Sequence, residues 1–136
     1  RDRVGTSHGA YKFKGEPRLA FDRIREIRSN VSVPLVLHGA SGVDQEHVEI
    51  ANTYGASLAG TRGVPEEAIT EAVKLGICKV NIDTDMRIAF MAYVRKAFAE
   101  KPDNIDPRKY LGAGRDAVMG VVKKKIELFG SGGRAR

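Results

Sequence analysis

Two histidines, each followed by glycine, stand thirty residues apart, in Gly5-Thr6-Ser7-His8-Gly9 and in Leu35-Val36-Leu37-His38-Gly39-Ala40-Ser41-Gly42. A neutral imidazole offers a lone pair to a divalent metal, and imidazoles raised from neighbouring strand ends can share one ion. His38 closes an apolar run, Val33 to Leu37, and is followed at once by small residues that build neither helix nor core. Its ring is therefore expected at the carboxyl end of a strand, where parallel α/β folds gather their reactive groups. The remaining histidine, His47, falls three residues after Asp44 on a polar helix face and reads as a surface residue rather than a ligand.

The neighbours of the two histidines suit an anion. Gly39, Ala40, Ser41 and Gly42 form a loop whose backbone amides a phosphate can approach closely, with the Ser41 hydroxyl as a further donor. Gly9 gives the same access beside His8, and Lys12, four residues beyond, adds a positive charge. A third cluster, Asn81-Ile82-Asp83-Thr84-Asp85, ends another apolar run. Alternation along it would put Asn81 and Asp83 on one side and Thr84 at a helix amino terminus, with more polar groups than capping alone requires. Amide, carboxylate and hydroxyl together would hold a polyhydroxylated phosphate ester.

Strands alternating with helices must carry these groups. A helix opening at Pro17 has apolar residues Ala20, Ile24 and Ile27 and runs to Ser29, and the strand Val33 to Leu37 follows. Asp44 caps a short helix through Val48 and Ala51, and Pro65 with Glu66 and Glu67 starts another that Gly76 stops. A second strand, Ile77 to Ile82, leads to a helix capped by Asp83, Thr84 and Asp85, with Met86, Ala89, Phe90, Tyr93 and Ala97 on its buried face. After a polar linker, Asp106 and Pro107 begin a last helix expected to bury Leu111, Val118, Val122, Ile126 and Phe129. Gly112, Gly114 and Gly120 weaken that helix or allow close packing, and residues 130–136 read as a mobile tail.

Strand, helix, strand, helix order implies parallel strands joined by crossover helices, since no tight turn can join parallel neighbours. So few strands do not close a parallel sheet, and residues 1–136 are therefore read as part of a larger domain, entered at a charged strand, Arg1 to Val4.

Composition narrows the partners. Hydrophobic residues are 42% and charged residues 29% of the 136, enough for an ordinary soluble core. No stretch reaches the roughly 18 consecutive apolar residues of a membrane span and the start is no signal region, so a cytoplasmic protein without membrane attachment is expected. Lys and Arg number 23 against 17 Asp and Glu, a net +6 that suits phosphate on a partner. Lys123-Lys124-Lys125 lacks interleaved aromatics and reads as a solvated helix face, so nucleic acid is set aside. Cys78, the only cysteine, is expected to be a buried structural thiol.

The segments Gly-Thr-Ser-His-Gly-Ala-Tyr-Lys at 5–12, Leu-Val-Leu-His-Gly-Ala-Ser-Gly at 35–42 and Lys-Val-Asn-Ile-Asp-Thr-Asp at 79–85 resemble the class II, metal-dependent fructose-1,6-bisphosphate aldolases. The resemblance runs in register from Val4 to Phe129, and the connection from Tyr54 to Pro65 and the segment Ile105 to Tyr110 are similar to the class IIB branch. It implies an α/β chain that forms the carboxyl-terminal part of a TIM (β/α)8 barrel, its last three βα units and terminal helices.

It also implies roles. His8 and His38 would be zinc ligands, and Gly9, Lys12, Gly39 and Ser41 would hold the phosphate of the dihydroxyacetone-phosphate half, with Asp83 and Thr84 beside them. Asn81 would contact the dihydroxyacetone moiety, Arg87 would lie near the second phosphate, and Arg108 would reach that phosphate from a neighbouring subunit of a homodimer. A monovalent cation, Na⁺ or K⁺, would sit near the carbonyls of Gly9 and Gly39. The implied reaction is cleavage of fructose 1,6-bisphosphate to dihydroxyacetone phosphate and glyceraldehyde 3-phosphate, and its reverse, with zinc polarising the ketose carbonyl.

In that family the general base and a third histidine ligand lie in an amino-terminal half that this sequence does not contain, so the resemblance implies that the isolated chain is inactive. Two other readings stand beside this one. Tagatose-1,6-bisphosphate aldolase shares fold and metal, although Asn-Ile-Asp-Thr-Asp leans toward fructose bisphosphate; the alternative outside enzymology is a noncatalytic barrel remnant or dimerisation module.

Overall fold

A computed structural model of the protein describes residues 18–135. His8, Gly9, Lys12 and the strand expected before them lie outside the described residues. Seven elements follow in order: α1 (Phe21–Asn30), β1 (Leu35–Leu37), α2 (Gln45–Thr53), α3 (Glu66–Lys74), β2 (Ile77–Val80), α4 (Thr84–Glu100) and α5 (Pro107–Leu128). They divide between two compact units. One combines the described residues up to Gly42 with Arg62–Ile82, and the other combines Val43–Thr61 with the chain from Asp83 onward.

The first unit carries the sheet. β1 and β2 pair in parallel, as alternation of strand and helix predicts, with Leu37 opposite Val80. β1 starts at Leu35 rather than Val33, because Pro34 has no N–H to give a ladder and Val33 is left 61% exposed. β2 ends at Val80, where its three-residue partner ends, although the Asn81 amide still donates to the Leu37 carbonyl at 2.9 Å. The register slips by one residue between Leu35 and Val36, which leaves Cys78 as the extra residue of β2. Cys78 is consequently exposed, not buried as its apolar flanks suggested, and its thiol lies 3.4 Å from the Gly76 carbonyl. Helix α1 begins at Phe21, later than Pro17 indicated, after Leu19 has been buried outside the helix. Ile24, Leu37, Val64, Ile69 and Ala72 are buried, and Gly76 ends α3 at φ +107°, a left-handed turn that only glycine takes without strain.

The second unit is helical, with α4 packed against both α2 and α5. The Asp44 side chain accepts the Glu46 amide at 3.1 Å and caps α2, as its place in the sequence predicts. Val43, Val48 and Ile88 form an apolar cluster, with Leu58 packed against it. The buried stripes of the long helices differ from those expected. α4 buries Asp85, Ile88, Ala89 and Ala92, while Met86, Tyr93 and Ala97 are half-buried and Phe90 is exposed. α5 buries Gly114, Val121 and Lys125, and Leu111, Val122 and Ile126 are exposed. The reason lies at Gly114, where a Cβ would meet Phe90 Cδ2 at 2.7 Å: the helices approach at a glycine, and that contact, not the largest apolar residues, sets the phase of the stripe.

Two corrections concern charge. Lys125 is 5% exposed, unlike the solvated lysine run expected, and its Nζ stands 3.5 Å from Asp85 Oδ1. Asp83 occupies the cap position of α4 without the side-chain cap bond expected of it, and Asp85 Oδ1 accepts the Val43 amide at 3.0 Å. Val43 has φ +53°, a left-handed conformation that a β-branched residue adopts at a cost of about 1–3 kcal/mol. At the other end, α5 closes in a Schellman turn: the Gly130 amide donates to Glu127 and the Ser131 amide to Ile126, with Gly130 at φ +68°.

Candidate active site

Within the first unit, parallel pairing sets two chemical side chains together. Because Leu37 pairs with Val80, the next residues of each strand, His38 and Asn81, leave the sheet side by side. Asn81 Nδ2 lies 2.8 Å from His38 Nδ1 and 3.1 Å from Nε2. His38 is exposed and Asn81 half-buried, so the pair faces solvent from a covered base.

The loop after His38 is built for close approach. Gly39 has φ +66° and is buried, and Ala40 and Ser41 are 0% and 2% exposed. The Ser41 carbonyl accepts the Val64 amide at 3.0 Å, which draws Gly63 so near that a Cβ there would stand 2.1 Å from the same oxygen. Gly63 was not singled out in the sequence, where it falls within the connection from Tyr54 to Pro65.

Within the second unit, Asp83 and Arg87 form an exposed i,i+4 pair, with Arg87 Nε 2.9 Å from each carboxylate oxygen, and Thr84 opens α4. Arg108 is held by Asp106: Nε is 3.0 Å from Oδ1 and Nη2 2.9 Å from Oδ2. Asp106 also caps α5 through the Arg108 amide, and its carboxyl is held below the usual range first by the Arg108 side chain and then by that amide. The Arg108 side chain is 89% exposed, so its guanidinium still faces solvent. His47, read as a surface residue, is half-buried on α2 with its ring edge-on to Tyr93 at 6.0 Å between centroids.

Among the described residues no group of three or more His, Cys, Asp or Glu side chains converges to hold an ion, so His38 is the one expected ligand the structure places. An exposed imidazole at a strand end, with a carboxamide against its ring, has the chemistry of a ligand and its supporting partner. If the carboxamide presents Oδ1, it accepts a ring N–H and fixes the tautomer of the imidazole. The described residues thus fit one part of a metal site.

A parallel strand pair with crossover helices and polar side chains at its carboxyl ends defines an α/β protein of the kind that builds sites from strand ends. Residues 3–134 match the family described as fructose-bisphosphate aldolase class-II, and the chain belongs to that family. It is 52% identical to a fructose-bisphosphate aldolase of Thermus caldophilus over 132 residues, covering 97% of this chain and 43% of the relative. It is 47% identical over 134 residues to one of Giardia intestinalis, covering 97% and 42%. The crystal structure of the YdjI aldolase from Escherichia coli K12 superposes with a TM-score of 0.63 at 32% identity, across 98% of this chain and 39% of that one. The chain thus spans about two fifths of the length of these relatives. Among the described residues no helix is long and apolar enough to cross a membrane.

Proposed function

We propose that this chain is the carboxyl-terminal part of a zinc-dependent, class IIB-like fructose-1,6-bisphosphate aldolase, a lyase whose TIM barrel is completed by the rest of the length its relatives have. The observation that carries the reading is the pairing of His38 with Asn81 at the ends of two parallel strands, in a chain matching the family over residues 3–134. His8 and His38 would hold the zinc, which when bound supplies a Lewis acid for the ketose carbonyl. The third ligand and the general base are assigned to the remaining length of those relatives.

The protein's own residues would bind and orient. Asn81, fixed beside His38, donates its carboxamide N–H to an oxygen of the dihydroxyacetone half as charge develops there. Gly9, Lys12, Gly39 and Ser41 take the adjoining phosphate, with Asp83 and Thr84 at the amino terminus of α4 beside them. Arg87 serves the second phosphate, and Arg108, exposed on α5, reaches it across a homodimer. The carbonyls of Gly9 and Gly39 would share a Na⁺ or K⁺ ion. Fructose rather than tagatose bisphosphate is favoured by Asn-Ile-Asp-Thr-Asp and by the names of the relatives from Giardia intestinalis and Thermus caldophilus. The working site is a cytoplasmic one for a small phosphorylated sugar.

Metal analysis of the full-length protein tests this. About one zinc per subunit is expected, as a catalytic site with an open position requires, and chelation should abolish cleavage. Cleavage that survives thorough chelation ends the metal reading.

A further inference from the structure

Asp85 and Lys125 are charged, buried and without a role in the reading above. Lys125 is 5% and Asp85 2% exposed, and Nζ lies 3.5 Å from Oδ1. Charges are not placed in an interior for general stability, because removing them from water offsets most of their attraction. Their position must serve something specific.

What they hold is the backbone of Val43. Asp85 Oδ1 accepts the Val43 amide at 3.0 Å, and Val43 is the non-glycine residue with positive φ, at +53°, among the described residues. A β-branched residue leaves that conformation unless its surroundings over-determine it. The hydrogen bond supplies one constraint and burial of the side chain, 2% exposed, supplies another. Lys125 neutralises the acceptor, so that Asp85 can keep its carboxylate buried while it holds an amide. Val43 follows Gly42 directly, and the residue after it, Asp44, caps α2 and pairs with Lys124 at 3.2 Å. Lys124 thus meets Asp44 directly, and Lys125 meets Asp85, the acceptor of the Val43 amide.

We infer that Asp85, neutralised by Lys125, is a positioning residue that fixes the exit of the Gly39–Gly42 loop through the Val43 amide. The ligand concerned is the phosphate group assigned to that loop above, and the functional half of the inference rests on that assignment.

The test uses the full-length enzyme and two neutral double variants. Asp85→Asn with Lys125→Met keeps an acceptor for the Val43 amide, whereas Asp85→Ala with Lys125→Met removes it, and neither leaves a buried unpaired charge. Amide exchange in the segment containing Val43 is expected to rise at least tenfold in the alanine variant and to stay within threefold of the parent in the asparagine variant. The inhibition constant of inorganic phosphate against bisphosphate cleavage should rise in parallel, with zinc content unchanged. Equal exchange in the two variants overturns the inference, as does a rise in exchange with unchanged phosphate inhibition. If inorganic phosphate does not inhibit the parent, the assignment of the loop to phosphate falls, and exchange alone then decides whether Asp85 positions Val43. Should the alanine variant not fold, the Asp85→Asn, Lys125→Met variant decides: exchange within threefold of the parent supports the hydrogen bond, and a tenfold rise overturns it.

Discussion

A Cβ on Gly63 would stand 2.1 Å from the carbonyl oxygen of Ser41, because the next residue, Val64, donates its amide to that oxygen at 3.0 Å. The obstacle is backbone, which cannot swing aside as a side chain does. Gly63→Ala is therefore expected to destabilise the protein by about 1–3 kcal/mol, the usual penalty for forcing a methyl into packed space. Urea denaturation of the full-length protein measures it, and a change under 0.5 kcal/mol would show that the segment carrying Gly63 yields freely.

Neighbouring lysines should differ sharply. Lys124 meets Asp44 with the two side chains 52% and 31% exposed, so Lys124→Ala should change stability by less than about 1 kcal/mol. Lys125→Ala leaves the Asp85 carboxylate buried and unneutralised, and a loss of about 3–5 kcal/mol is expected. Denaturation curves for both variants make the comparison; equal effects would remove the distinction.

Asp44 gives a pH signature. Burial by itself pushes its carboxyl up, but the hydrogen bonds from Lys124 and the Glu46 amide, with the positive fields of Lys124 and His47, outweigh this and leave it below 3.8. A depressed folded value contributes stability that is present above the unfolded value and lost as pH falls through the folded one. The parent should accordingly be more stable than Asp44→Asn at neutral pH, with the gap closing below pH 3.8. A gap that widens on acidification contradicts this sign.

Asn81 separates binding from chemistry. Removing a donor aimed at developing charge lowers kcat by about 10²–10³-fold, and that is expected of Asn81→Ala in the full-length enzyme, with its zinc retained. Recovery of the parent kcat once the variant is saturated with zinc would limit Asn81 to its supporting contact with His38.

Arg108→Ala should raise KM for the bisphosphate about tenfold, equivalent to roughly 1.4 kcal/mol, in a dimeric enzyme. Asp106→Asn, which frees the guanidinium from its bidentate partner, should not. Unchanged KM in the arginine variant removes Arg108 from the site.

Local order in the sequence carried much of this. An apolar run ending in His38-Gly39 and another ending in Asn81 are enough to place both residues at strand ends, and Asp44, Pro65 and Gly76 set helix limits through backbone chemistry alone. The sequence also determined the family, because three motifs in order are matched by one chain. Tertiary structure decided burial and pairing. Nothing local distinguishes Lys125 from Lys123, or reveals that Asp85 would hold the Val43 amide rather than cap its own helix. Cys78 turned outward through a slip in strand register, and the close approach of α4 and α5 at Gly114 moved the buried stripes off the large apolar residues. Helix periods and turn residues act over a few positions of chain, whereas burial depends on which distant surfaces meet, and that contact is not written at either residue.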